Sequence, residues 1–484
     1  MRERASPNAP RQTTRWQWIA AAATGVLFNY VLGVEPWSPA IWLAPIPLLV
    51  ASRMASSLSE VSRLAVFAGL LGLASTIGYC VRSGFQGLET VAVIGTFALP
   101  QAIPLIATVI VWHVASRGRV RWHAAFVFPI VAAAVDFAFA SIWPHGTWAS
   151  WANSQMDVLP VIQLAALGGT PAVVFVSALP AAVAVVIIAD GGNIEKPVVA
   201  YALPVFIVIA AGAYGATRLL SAPVTARVSV GLAASDATDF LPPNPGSQSD
   251  PTLATYLDAA TRLAAAGAEI VVLPEKIEIM DEAAATIVRA RLSAWAREQH
   301  TNLVVGVAIV AADYRDNRAW LFHDDGELRV DYAKRHLIPF SEGRFRAGRR
   351  DAIVKLDGRV LGVTICKDMD FPRLSRRYGR EGVQAVLTPA WNLGTDGRYH
   401  SRMAVLRGVE QGFSVIRAAR QGRLTVSDAF GRIVAEAASA DSPVTMLSVH
   451  APLGGFRTPY SRFGDAFSWG CTAIVALLVC WPRR

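Results

Sequence analysis

The sequence predicts a bundle of membrane-spanning helices joined to one layered α/β domain that stands in water. Three observations carry this. Of the 484 residues, 53% are hydrophobic and only 17% are charged, whereas a soluble globular chain carries about a quarter charged residues. The deficit is uneven: residues 16–220 read as one apolar run after another, while residues 226–460 have ordinary globular composition. Within that second stretch, β-rich runs alternate with amphipathic helices, the pattern of a layered α/β domain large enough to bury its own core.

A span needs roughly 20 apolar residues to cross about 30 Å of hydrocarbon. Residues 16–34, 41–51, 64–81, 91–115, 124–143, 161–189 and 198–220 qualify, and 467–481 closes the chain; the second and the last are short. Arg2, Arg4, Arg11 and Arg15 precede the first run as they would precede the core of a signal peptide. No small-residue cleavage site follows it, and further spans do, so the first helix is expected to be retained. Arginine and lysine alternate between loops. The N-terminal tail, Arg53 and Arg63, Arg117, Arg119 and Arg121, Lys196, and Arg483 and Arg484 fall on one side, and the intervening loops hold Arg82 and little else. Positive-inside logic then puts both termini inside and, after about seven spans, the large domain outside. The expected division is a cytoplasmic tail over 1–15, membrane helices over 16–220, an external domain over 221–465, and a last span with a short tail over 466–484. A formal net charge of +9 would suggest nucleic acid in a soluble protein. Here the excess is largely arginine at the ends of apolar runs, with no basic–aromatic stripe, so nucleic acid is not an expected partner.

Four cysteines are present: Cys80, Cys471 and Cys480 lie in predicted spans, and only Cys366 lies in the external domain. A lone cysteine there forms no intradomain disulfide, so it is either a buried small hydrophobe or a reactive thiol. Its surroundings decide for the second. The domain reads as a strand at 227–232, a helix at 251–266, a short buried strand at 269–273, a helix at 281–299 and a strand at 303–310. A hairpin follows over 317–322 and 327–331 around Asp324-Asp325-Gly326, and then an apolar strand at 360–365 that runs into Cys366. Phe371-Pro372 opens a helical stretch, and further strands are expected at 384–387, 415–418, 423–426 and 433–435.

Three positions stand at strand ends: Glu275 in V-V-L-P-E-K, Lys334 in D-Y-A-K-R-H-L-I-P-F-S-E-G, and Cys366 in G-V-T-I-C-K-D-M-D-F-P. A strand-to-helix turn exposes a nucleophilic sulfur and offers backbone N–H groups to an oxyanion. A helix N-terminus and a neighbouring cation lower a thiol pKa. A carboxylate serves as base and an ammonium stabilises a tetrahedral intermediate. Taken singly, Glu275 caps a helix, Lys334 is a solvated charge and Cys366 is core; the three together make that coincidence improbable.

Glu, Lys and Cys in this order and with these flanks resemble the nitrilase, or carbon–nitrogen hydrolase, superfamily. The likeness continues through P-A-W-N at 389–392, R-Y-H-S-R-M-A-V-L-R-G-V-E at 398–410 and R-A-A-R-Q-G at 417–422. In the membrane half, E-P-W-S-P-A-I-W-L-A-P-I-P-L-L at 35–49, W-P-H-G-T-W-A-S-W-A-N-S-Q at 143–155 and Q-L-A-A-L-G-G at 163–169 are similar to apolipoprotein N-acyltransferases. The resemblance implies a nitrilase-like αββα sandwich on the outer, periplasmic side of a bacterial cytoplasmic membrane, and it implies a Glu275-Lys334-Cys366 triad. Cys366 would take an acyl chain from a phospholipid as a thioester, Glu275 would move the protons, and Lys334 with the backbone N–H of Lys367 would hold the oxyanion. Glu342 would be an accessory acid, and the acceptor would be the amine of a lipoprotein's diacylglyceryl-cysteine. No metal or organic cofactor is implied.

The chain departs from the family pattern at Lys367-Asp368, where an aromatic and then Glu is usual, at S-E-G-R-F-R over 341–346, and at Lys276, where a small residue is common. These departures keep a membrane-anchored amidase acting on a small amide or nitrile as the alternative. Trp391 either lines an acyl site or packs. His400 on its helix is expected to pack or hydrogen-bond, and His113, His123, His145 and His300 lack metal-ligand spacing. Asp136, a carboxylate within a span, is either functional or set in a polar helix interface.

Overall fold

The structure, a computed structural model, describes residues 14–116, 124–190, 198–223, 225–236 and 251–480. Most of the cations used to orient the chain (Arg2, Arg4, Arg11, Arg117, Arg119, Arg121, Lys196, Arg483 and Arg484) lie outside those residues.

Among the described residues, five helices are long and apolar enough to cross a membrane: Leu58–Arg82, Leu88–Ser116, Ala124–Ile142, Thr170–Ile188 and Ala200–Leu220. The expected first span forms as the helix Arg15–Leu32 but is not among these five, because Arg15, Gln17 and Asn29 dilute its apolar content. Ala40–Arg53 and Ala466–Cys480 are apolar but short. Leu88–Ser116 is irregular in the middle, with a wide turn over Ile94–Ala98 and a tight one over Leu99–Ala102. Pro100 lacks the N–H that a regular ladder needs there.

One span differs from expectation. The run 161–189 is not a single helix: Leu159–Ile162 and Ala165–Gly168 are short pieces, and Thr170–Asp190 starts afresh. Gly169 makes the break at φ +72°, and a Cβ there would stand 2.8 Å from the Tyr460 ring, so only glycine admits the segment that feeds the last helix. Asp136 is buried in its helix and accepts from Ser150 Oγ at 2.9 Å and Trp151 N at 3.1 Å. It ties that helix to the tryptophan-rich turn, which is the polar-interface reading.

The second body contains thirteen strands among the described residues. They are β1 Arg227–Ala234, β2 Ile270–Val272, β3 Glu278–Met280, β4 Asn302–Val310, β5 Arg315–Phe322, β6 Leu328–Ala333, β7 Ile353–Leu356, β8 Arg359–Val363, β9 Ala385–Trp391, β10 Ser414–Arg420, β11 Arg423–Ser427, β12 Ile433–Ala438 and β13 Thr445–Pro452. One sheet runs β13-β1-β2-β4-β5-β6 with β3 on β4, and the other runs β12-β11-β10-β9-β8-β7. β3, β7 and β13 were not expected from the sequence. β3 and β7 are three and four residues long, too short to show a period. β13 alternates, but mostly with half-exposed residues along a sheet edge.

Alternation along the strands sorts side chains into layers. Val228, Val230 and Leu232 of β1 face Leu387 of β9 and Ile416 of β10 between the two sheets. Val271, Val305 and Trp320 face outward, under the helices Pro251–Ala265 and Glu282–Gln299. Val386 and Val415 pack on Leu374 and Tyr378 of the helix Pro372–Arg380 and on Ala404 of the helix Gly397–Gln411. This is the expected αββα sandwich. Gly397–Gln411 also has a second partner, since its Tyr399, Met403, Leu406 and Val409 join the core of the membrane helices. One helix therefore belongs to both bodies, which places the sandwich firmly against the membrane unit.

Candidate active site

β1, β2 and β4 are parallel neighbours, as are β8, β9 and β10. Their carboxyl ends open on the same edge of the sandwich, the usual place for a site in parallel sheets. Glu275 follows β2, Cys366 follows β8, Trp391 ends β9 and Arg420 ends β10. Lys334 follows β6, and its N–H donates to Asn317 O at 2.9 Å, so it joins the group from the hairpin side.

The structure brings Glu275, Lys334 and Glu342 into one buried cluster. Lys334 Nζ lies 2.9 Å from Glu275 Oε1 and 2.9 Å from Glu342 Oε2. Asn317 Nδ2 donates to Glu275 Oε1 at 2.6 Å and to Glu342 Oε1 at 2.9 Å. Lys276, φ +53°, adds a second ammonium 2.8 Å from Glu342 Oε1 and 3.7 Å from Glu275 Oε1. Two carboxylates thus meet two ammoniums, which is what allows four charges to be buried together. Burial works against the Lys334 charge, but Glu275, Glu342 and Cys366 hold its pKa well above the usual lysine value. Burial likewise works against the Glu342 carboxylate, yet Lys334 and Lys276 keep its pKa well below the carboxylate range. Asn317 was missed from sequence; an asparagine at a strand start carries no signal of its own.

Cys366 sits at φ +43°, left-handed for a residue with a side chain, a strain of about 1–3 kcal/mol. Asp368 holds the turn: it accepts from Ile365 N at 3.2 Å, His336 N at 2.9 Å and Tyr332 Oη at 2.7 Å. The shortened acid two residues after Cys366 therefore has a structural task that sequence alone did not reveal. The thiol itself corrects an expectation. It is buried, and Cys366 Sγ donates to Trp391 O at 3.3 Å. Burial, followed by the nearby Glu275 charge, pushes its pKa up to about 12, against the opposing pull of Lys334. A short 3-10 turn, Cys366–Asp370, separates the sulfur from the helix Pro372–Arg380, so the helix N-terminus does not reach it. Lys367 Nζ is directed to Pro144 O at 2.7 Å and Leu337 O at 3.2 Å, so its ammonium acts on Cys366 only as a nearby charge.

Trp391 stands half-buried with Lys276 Nζ 5.0 Å and Arg420 Cζ 4.4 Å from its ring centroid, so two cations contact the ring beside the cluster. His400 is bonded to Asn392 Nδ2 at 2.6 Å and packs edge-on against Trp148 at 4.6 Å. Both contacts fit a packing and hydrogen-bonding role.

Residues 241–482 match the carbon-nitrogen hydrolase family. The chain belongs to that family. It is also similar to the apolipoprotein N-acyltransferase of Geobacter metallireducens, with 27% identity covering 97% of this chain and 96% of that protein. A shorter match, 34% identical over 24% of this chain and 26% of the relative, is to the apolipoprotein N-acyltransferase of Brucella melitensis biotype 1. Among solved structures, an amidase from Nesterenkonia sp. aligns over 48% of this chain and 94% of its own, with 24% identity and a TM-score of 0.41. The expected class, a multi-pass membrane enzyme of the nitrilase superfamily resembling N-acyltransferases, is borne out.

Proposed function

We propose that the protein is an N-acyltransferase that moves a fatty acyl chain from a phospholipid, through a thioester on Cys366, to the amine of a diacylglyceryl-cysteine lipoprotein. The observation that carries this reading is the buried Glu275–Lys334–Glu342 cluster with Cys366 beside it, set in a chain that resembles acyltransferases along both of its bodies. The external domain is residues 221–465, held on the periplasmic side by helices of 16–220 and the last span.

In the first step Glu275 takes the thiol proton as Sγ attacks the ester carbonyl carbon. A resting pKa of about 12 means that proton removal and attack are coupled, since thiolate is scarce at neutral pH. Lys334 Nζ and the Lys367 backbone N–H hold the oxygen that becomes negative. The ester C–O bond then breaks, and the lysophospholipid oxygen leaves with the proton from Glu275. In the second step Glu275 takes a proton from the acceptor amine as the nitrogen attacks the thioester. The amide forms, the C–S bond breaks, and the sulfur recovers its proton. Glu342 and Asn317 keep Lys334 aimed, and Trp391 lines the acyl path.

The test is incubation of the purified full-length protein with a fluorescent phospholipid, followed by intact-mass analysis. The expected result is one acyl chain on Cys366, discharged by a lipopeptide amine. No adduct, together with hydrolysis of small amides, would replace this reading with the amidase alternative.

A further inference from the structure

The loop between the helices at 124–142 and 159–168 reaches the active site. Lys367, next to the sulfur, is 4% exposed. Its Nζ donates to Pro144 O of this loop at 2.7 Å and to Leu337 O at 3.2 Å. Leu337 precedes the segment bearing Glu342, closed by Ile338 N donating to Glu342 Oε2 at 2.9 Å. At the other end of the same turn, Thr147 N and Oγ1 both donate to Asp370 O, at 3.1 and 3.0 Å. Gly146, at φ +55°, makes that approach feasible, since a Cβ there would stand 2.5 Å from Asp370 O.

We propose that Lys367 is a positioning residue whose ammonium fastens the Cys366 turn to the membrane-side loop and to the Glu342 segment, so that docking of the two bodies completes the reactive geometry. This rests on the reading of Cys366 as nucleophile.

The charge is not there for stability. Burial, with Lys334 adding to it, lowers the Lys367 pKa to about 8, against Asp370, Glu342 and Cys366. His145 also faces it, but burial holds that ring's pKa to about 3, so it stays neutral. A lysine depressed in the fold is destabilising while protonated: above about pH 8 the unfolded chain still binds the proton that the folded chain releases, so stability rises with pH from there toward roughly 10.4. An apolar side chain of similar length removes the desolvation cost that such a buried cation carries while charged.

The test uses the full-length protein in detergent micelles with Lys367→Met and Lys367→Arg, measuring Tm, phospholipid KM and the single-turnover acylation rate of Cys366. For Lys367→Met, Tm should stay or rise and KM should hold within about twofold, while acylation slows roughly 10–100-fold, as a small misplacement of reacting groups produces. Lys367→Arg should recover part of the rate. Wild-type acylation should fall above about pH 8 as the ammonium is lost. That fall should be absent in the Met variant and moved upward in the Arg variant. Wild-type rates for Lys367→Met, or a loss of Tm or folding in step with rate, would overturn the positioning role. Cys366→Ala separates the two readings. If it still acquires the acyl chain, the nucleophile assignment fails; if it is inert while Lys367→Met is fast, only the positioning role does.

Discussion

The charges that face one another beyond β2 and β6 are held from within the sandwich, whereas the turn carrying Cys366 is held partly from the membrane unit. Glu275, Lys334, Glu342 and Asn317 are joined to one another by bonds of 2.6–2.9 Å. The turn Cys366–Asp370 leans on Pro144 and Thr147, more than two hundred residues away in sequence. The first region depends on electrostatic balance among its own members, and the second depends on docking. This difference predicts that substitutions in the cluster will disturb folding and chemistry together, while substitutions at the docked turn will separate them.

The largest effect falls at the point where the two regions meet. Cys366→Ala should abolish acyl transfer, a loss on the order of a thousandfold or more, while Tm changes little, because alanine also fits the buried site. Residual transfer near the wild-type rate would end the thioester reading. Next comes Lys334→Met. It leaves Glu275 and Glu342 with Lys276 as their one remaining ammonium, and removing one partner of a buried ion pair costs about 3–5 kcal/mol. Chemical denaturation should show that loss along with inactivity; an inactive but fully stable variant would mean the cluster is not the balanced unit described above.

The pH response distinguishes the regions again. Glu342 has its carboxyl held below the ordinary range by Lys334 and Lys276 against burial. A depressed carboxylate contributes stability that is present above its unfolded value of roughly 4.3 and lost as pH falls below it. The denaturation midpoint should therefore be flat from pH 5 to 7 with respect to this group and drop below about pH 4. Glu342→Gln should weaken that acid limb. An unchanged limb would place the acid sensitivity elsewhere.

The same contrast explains what was legible in the sequence. Glu275, Lys334 and Cys366 announce themselves because each ends an apolar strand with a characteristic flank, and strand ends converge in a layered α/β domain. Glu342 was legible only through family resemblance. Asn317 and the task of Asp368 were not legible, since their roles depend on which strands become neighbours. The buried thiol was misjudged because a turn position says nothing of what packs around it, and here the sulfur is turned inward to Trp391 O. The break at Gly168-Gly169 was hidden by the apolar run around it; what selects the glycines is Tyr460 and Phe467, almost three hundred residues further along the chain. Local chemistry was readable, and contacts between the bodies were not.

The smallest effect tests docking most directly. Thr147 donates to Asp370 O twice, from its backbone at 3.1 Å and from Oγ1 at 3.0 Å. Thr147→Val keeps the shape and the backbone bond and removes only the hydroxyl. One neutral hydrogen bond contributes about 0.5–1.5 kcal/mol, and Asp370 O retains a donor, so the loss should lie at the lower end of that range. If the turn is positioned through this loop, the small loss should appear in the acylation rate as a several-fold decrease with phospholipid KM unchanged. A change at another contact between the same loop and the sandwich, Asp157→Asn, removes the charge from half-exposed pairs with Arg398 and Arg402. Such pairs are worth about 0–1 kcal/mol, and this change should leave acylation alone. Equal behaviour of the two variants would show that contact between the bodies is adhesion only; a rate effect confined to Thr147 would show that the membrane loop acts on the Cys366 turn.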